Sequence, residues 1–151
     1  DAALGEVVRA GRYAEFASHG WSADDLPDPQ DPATRDRSVL DWTEVDTGSH
    51  ARVLEWYRAC ISLRRSLIGV EPTRLADVSV TVDEDARWVV MVHAPAGRTA
   101  SGVVVNLADV AQEVPLPGRG SRVLLAWDEG GTSLTPDAVR LPPASVAVVA
   151  F

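Results

Sequence analysis

Carboxylates are the residues of this 151-residue chain best suited to do chemistry, and five of them, Asp24, Asp25, Asp28, Asp31 and Asp36, fall in one short proline-bearing stretch. Two carboxylates can hydrolyse a glycosidic bond when one is a nucleophile and the other, its pKa raised, stands about 5 to 5.5 Å away as acid and base. Crowding in a loop does not supply that geometry. Aspartates among Pro, Ser and Thr ordinarily accept hydrogen bonds at turns and helix caps. Their spacing also does not match a calcium loop. The remaining reactive residues form no set. His19, His50 and His93 are far apart, and each reads as a local hydrogen-bonding or core residue. Cys60 has no partner for a disulfide and no Cys/His spacing suited to zinc, so it reads as a small buried hydrophobe. Gly118-Arg119-Gly120 lacks the strand-to-helix setting of a phosphate loop, and no nucleophile elbow is present. Taken by themselves, these residues form no recognisable catalytic set and no metal site. Of the five tryptophans, Trp56 and Trp88 read as core, and Trp127, beside a turn, as a surface platform.

Charge narrows the partners. The formal net charge is −8, the isoelectric point lies near 4.7, and all 14 basic residues are arginine. Phosphate backbones and anionic membranes require clustered cations, so neither nucleic acid nor a membrane surface is expected. The sequence has no run of about 18 apolar residues and no basic-then-apolar leader, so a soluble, cytoplasmic setting is expected.

These residues must be carried by three kinds of segment. Asp1 to Gly20 reads as a helix, capped by Asp1, with Leu4, Val7 and Val8 on one face and Gly20 at a left-handed C-terminal cap. Trp21 to Gly48 reads as a long ordered loop, because Pro27, Pro29 and Pro32 interrupt regular structure while Trp21, Leu26, Val39, Leu40 and Trp42 need a surface to cover. Ser49 is expected to cap a core-facing helix from His50 to about Leu67, with Val53, Leu54, Tyr57, Cys60, Ile61, Arg64 and Ile68 in one stripe. From Asp77 the period becomes two. Val78 to Val82, Arg87 to His93, Val103 to Leu107, Val123 to Trp127 and Val146 to Phe151 alternate as strands, with Pro142-Pro143 before the last, and predict an antiparallel β-sandwich of about six to eight strands. The front half has two helices and no strand, which is a poor self-sufficient fold and suggests the C-terminal part of a larger protein.

A set of strings then carries a resemblance: Gly11-Arg12, Glu15-Phe16, Gly20-Trp21, the run from Pro27 to Thr34, Arg37-Ser38, Leu40-Asp41-Trp42, His50, Trp56-Tyr57-Arg58 and Leu63-Arg64-Arg65. It continues through Arg74 to Val78, Val105 to Ala108 and Leu141 to Val146. Together they resemble the malto-oligosyltrehalose trehalohydrolase family of the alpha-amylase superfamily over essentially the whole chain. The helix strings belong to the superfamily at large. The Pro27 to Thr34 run with Leu40-Asp41-Trp42 narrows the resemblance. Two departures stand out: Arg35 replaces a usual phenylalanine, and Ser66 to Val70 lacks the proline that usually follows the double arginine.

The resemblance implies an α+β fragment: residues 1–70 as the end of a (β/α)8 barrel, and 71–151 as a C-terminal antiparallel β-sandwich of the amylase type. It implies a parent glycoside hydrolase that cleaves the α-1,4 bond next to the terminal trehalose of malto-oligosyltrehalose, without a cofactor. The catalytic carboxylates of such barrels stand at strand ends, upstream of this segment. The resemblance makes the upstream barrel the chain's structural partner and the loop after the last barrel strand its one approach to sugar. Asp28, Gln30 and Asp31 would meet hydroxyls there, and Trp42 would offer a flat face or else plug the loop. Two other readings stay open: a non-catalytic carbohydrate-binding or interaction β module, and the C-terminal part of another superfamily enzyme such as a branching enzyme.

Overall fold

The computed structural model describes residues 1–67 and 74–151. The chain divides into two compact units, Asp1–Asp46 and Thr47–Phe151. The expected boundary between residues 70 and 71 lies outside the described residues, as does Ile68 of the expected stripe.

The first unit opens with helix α1, Ala2–Ala17, whose first turn is capped by Asp1 accepting from the Ala3 amide at 3.0 Å. Gly20 follows with φ +82°, the left-handed conformation that a β-carbon would strain. The sequence placed Leu4, Val7 and Val8 on one face of α1, and all three are exposed here. The less exposed positions are Gly5, Arg9, Tyr13 and Phe16, at helical spacing on another face. The stretch after Gly20 is ordered, as expected, yet it is not a bare loop. It holds a 3-10 turn at Ala23–Asp25, the short helix α2 at Pro32–Asp36 and a second 3-10 turn at Trp42–Glu44. Pro32 starts α2 instead of preventing it, because the first helical position needs no amide donor, and Asp31 caps the helix by accepting from the Ala33 amide at 2.9 Å.

The second unit opens with helix α3, Gly48–Leu67. It begins upstream of the expected Ser49 cap, with the Ala51 amide donating to the Thr47 carbonyl at 3.2 Å. Among the described residues eight strands follow: β1 Val78–Asp83, β2 Trp88–His93, β3 Ser101–Asn106, β4 Gln112–Pro115, β5 Arg122–Ala126, β6 Ser133–Leu134, β7 Ala138–Leu141 and β8 Ser145–Ala150. They form a five-stranded sheet in the order β1-β2-β3-β8-β5 and a three-stranded sheet in the order β4-β7-β6, with every pairing antiparallel. The period-two pattern explains the register: Val90, Val104 and Ala147 align across three strands of the first sheet, so their side chains share a face.

That face carries Trp88, Val90, Val104, Ala147 and Val149, which cluster with Val114, Val139 and Leu141 of the second sheet. Side chains such as Val139 and Leu141, with no exposed surface, each contribute roughly 1.5–3 kcal/mol by burial. The polar exception is Asn106, also fully buried. Its amide nitrogen donates to the Val110 and Pro142 carbonyls at 2.8 and 2.7 Å, and its oxygen accepts from the Ala108 amide at 2.9 Å and from Gln112 Nε2 at 2.6 Å. Gln112 Nε2 also reaches the Ala86 carbonyl at 3.0 Å. One side chain thereby joins the β3 end, the β3–β4 loop and the turn before β8.

α3 presents only part of its expected stripe to the sheet. Val53, Tyr57 and Ile61 are exposed, whereas Cys60 and Arg64 of the stripe, with Trp56, Leu63 and Leu67, line an apolar cavity of about 440 Å³ together with Val78, Val103, Leu125 and Val148 of the first sheet. The helix is apolar on two faces, and the sheet covers the one that carries Trp56. Trp127 is not a free platform either. Its ring meets Trp56 edge-on at 5.4 Å between centroids, the Arg52 guanidinium lies 4.1 Å from its centroid, and Arg52 Nη2 donates to its carbonyl at 2.9 Å. Trp88 is core, as expected.

Candidate functional site

The residues singled out for sugar contact lie in the first unit, and three of them come together. Asp28 Oδ1 accepts from the Gln30 amide at 2.8 Å. The Asp28 carbonyl accepts from the Asp31 amide at 3.2 Å and from the Thr34 hydroxyl at 2.6 Å. Asp31 spends one carboxylate oxygen on the α2 cap. The run Asp28–Asp31 is therefore a turn closed on itself, with Asp28 at its centre, half-buried, and with Gln30 and Asp31 exposed. Trp42 stands apart from it. It opens the second 3-10 turn, is 73% exposed, and follows Asp41, whose carboxylate accepts from the Thr43 amide at 2.9 Å and the Thr43 hydroxyl at 2.6 Å. Within its own unit Trp42 leaves its apolar face open.

Helix α1 holds the turn. Arg9 Nε lies 2.7 Å from Asp28 Oδ2, an ion-pair contact without hydrogen-bond alignment, and Arg9 Nη1 meets Glu6 at 3.0 Å. One turn back along the same face, Gly5 lies against the Gln30 side chain, whose Cγ and Oε1 would stand 3.5 Å from a β-carbon there. Neither Arg9 nor Gly5 emerges from the sequence as a site residue. The only trace is their four-residue spacing, which places them on one helix face.

Two open cavities flank this turn. One, of about 450 Å³, is lined by Asp24, Asp25, Leu26, Pro27, Asp28, Thr34, Arg37 and Ser38. The other, of about 430 Å³, is lined by Val8, Arg12, Glu15, Leu26, Pro27, Pro29 and Thr34. The first is edged by carboxylates, hydroxyls and one guanidinium. That donor and acceptor set suits a neutral polyhydroxylated ligand.

Two of the carboxylates are held away from the state a general acid needs. Hydrogen bonds from the Ser22 hydroxyl and then the Ser22 amide hold Asp25 below its ordinary pKa, and Thr43 does the same for Asp41. A general acid needs the opposite shift. Asp36 is paired with Arg35 at 2.5 Å. Burial pushes the Cys60 thiol up, away from thiolate chemistry. His19 Nδ1 stays local, 3.1 Å from the Ser18 hydroxyl and 3.3 Å from the Glu15 carbonyl. Among the described residues no group of three or more His, Cys, Asp or Glu could hold a metal ion, and no helix is long and apolar enough to cross a membrane.

Residues 73–148 match the family model described as "Domain of unknown function (DUF3459)". Among curated relatives, the chain is 42% identical over 146 residues to the malto-oligosyltrehalose trehalohydrolase of Rhizobium sp. (strain M-11), covering 97% of this chain and 23% of that protein. It is 40% identical over 147 residues to the enzyme of the same name from Brevibacterium helvolum, again covering 97% of this chain and 23% of the relative. The chain thus spans about a quarter of the length of these relatives. Among solved structures, a protein of Salmonella typhimurium provisionally assigned as an alpha amylase superposes with a TM-score of 0.70 at 26% identity, over 98% of this chain and 24% of that one. The isomaltulose synthase PalI from Klebsiella sp. LX3 shares the fold, with a TM-score of 0.50 at 17% identity over 85% of this chain and 22% of that one.

Proposed function

Because this chain belongs to the DUF3459 family, and its trehalohydrolase relatives match it nearly end to end, we propose that it is the C-terminal part of a cytoplasmic glycoside hydrolase of trehalose biosynthesis. The parent hydrolyses the α-1,4-glucosidic bond next to the terminal trehalose of malto-oligosyltrehalose and releases trehalose. The observation that carries this reading is the 42% identity over 97% of the chain, which spans the Asp28–Asp31 turn as well as the β sheets.

Residues 1–70 belong to the end of the catalytic barrel in this reading, and 71–151 form the C-terminal β domain. The catalytic carboxylates lie elsewhere in the parent, so this chain alone is inactive. Exposed apolar residues in both units support such a supporting role: Leu4, Val7 and Val8 on α1, and Val53, Tyr57 and Ile61 on α3. Solvent-facing stripes of this kind are what a larger barrel would cover. Asp28, Gln30 and Asp31 meet substrate hydroxyls at the cleft rim, and Trp42 stacks on a sugar ring.

The test is product analysis of the parent protein with malto-oligosyltrehalose and with plain maltodextrin. Trehalose released from the first and no branched product from the second is expected. Branch transfer onto maltodextrin, with no trehalose from the first substrate, would move the chain to a branching enzyme.

A further inference from the structure

The turn named above as the sugar contact does not hold itself to α1. Asp28 is its hub: one carboxylate oxygen fixes the Gln30 amide, and the carbonyl fixes Asp31 and Thr34. The second carboxylate oxygen faces Arg9, 2.7 Å away on α1, and the Arg9 Nε atom is shut off from solvent. Glu6 holds the other arm of the same guanidinium at 3.0 Å, so its planar fork is braced from both sides. The two side chains stay partly exposed, at 37% and 26%, so this is a half-buried charge contact whose loss loosens the turn without stranding a fully buried charge. Gln30 rests on α1 at Gly5, one helical turn from Arg9. The helix therefore grips the turn at two points, of which only Arg9 bears charge.

We propose that Arg9 is the positioning residue of the Asp28–Asp31 turn, acting through the Asp28 carboxylate to hold the turn in the conformation that meets sugar hydroxyls. This inference rests on the sugar-contact reading of that turn. No reacting group lies in the turn, so its disorder weakens binding of substrate and transition state alike: KM rises and kcat does not fall.

The experiment uses the parent protein and malto-oligosyltrehalose, with Arg9→Gln, Asp28→Asn, the double variant, Arg9→Lys and Gln30→Ala, and reads kcat and KM separately. Arg9→Gln and Asp28→Asn are each expected to raise KM about 2- to 10-fold with kcat within about twofold, the size of losing one partly exposed ion pair. The double variant should be no worse than the poorer single one, because the two residues act as a unit. Arg9→Lys should restore part of the loss, since it keeps the charge but not the fork. A raised KM for Asp28→Asn with an unchanged one for Arg9→Gln overturns the positioning role and leaves the sugar-contact reading standing. Additive losses in the double variant, or a fall in kcat that tracks loss of folded protein, also overturn it. Unchanged KM in both Asp28→Asn and Gln30→Ala refutes the sugar-contact reading itself, and the inference falls with it.

Discussion

Replacing Asn106 with leucine keeps the number and branching of the side-chain heavy atoms and removes every polar atom of the most buried hydrogen-bonding group in the β unit. The Val110 and Pro142 carbonyls lose their donor, and the Ala108 amide loses its acceptor. Gln112 is less affected, because its Nε2 keeps the Ala86 carbonyl. Each buried polar group left without a partner costs about 1–3 kcal/mol, so three of them cost roughly 3–9 kcal/mol. Domains of this size are stable by only about 5–15 kcal/mol, and the variant should therefore melt well below the parent sequence, by roughly 6–36 °C. Urea unfolding of the 151-residue chain, followed by tryptophan fluorescence, measures it. The midpoint should fall with an unchanged slope, since the surface exposed on unfolding stays the same. Arg140→Gln, an exposed position on β7, serves as a control and should change stability by less than about 0.5 kcal/mol. A loss below about 1 kcal/mol in Asn106→Leu would refute the reasoning, because it would mean that water serves those backbone groups equally well.

Three further predictions follow from single contacts. Arg52→Ala removes the guanidinium from the Trp127 ring and carbonyl, and should cost about 1 kcal/mol, seen as earlier loss of the helical signal at 222 nm than of the sheet; coincident, unshifted transitions would sink it. Asp41 has its pKa lowered in the folded chain by Thr43, so its contribution is present above the unfolded pKa and is lost as pH falls through the folded one; the Thr43 amide resonance should titrate with a midpoint below the ordinary aspartate value, and a midpoint at or above it would contradict the assignment. The exposed stripe of Val53, Tyr57 and Ile61 should make the isolated chain self-associate with rising concentration; Tyr57→Glu should return it to monomer in sedimentation velocity, and a monomeric unmodified chain at all concentrations would speak against the stripe as a sticky surface.

The β-sandwich was legible because alternation is a period-two signal that survives without context: Val78 to Val82 and Trp88 to His93 pair as β1 and β2. The two-residue β6 and the four-residue β4 and β7 were not picked out individually, since strands this short leave no readable period. Helix α3 was legible as a helix but only partly in its orientation, since Cys60 and Arg64 of its expected stripe face the sheet and Val53, Tyr57 and Ile61 do not. Apolar residues occupy two of its faces, and periodicity cannot say that Trp56 turns inward while Tyr57 turns out. Pro32 misled in the other direction, because a proline that breaks a helix interior is welcome at a helix start once Asp31 caps it. At the candidate site, the resemblance alone singles out Asp28, Gln30 and Asp31, and their sharing of one turn is visible only in the structure. Arg9 was not legible, because its meaning depends on a contact 19 residues away in sequence.

We propose that this chain supports a trehalose-releasing glycosidase without holding its chemistry. The most direct test incubates the 151-residue chain with malto-oligosyltrehalose and assays trehalose, beside the same chain extended upstream through a complete barrel. Trehalose from the extended protein alone is the predicted result. Trehalose from the 151 residues unaided would contradict the account and would place catalytic carboxylates among the aspartates between Asp24 and Asp36.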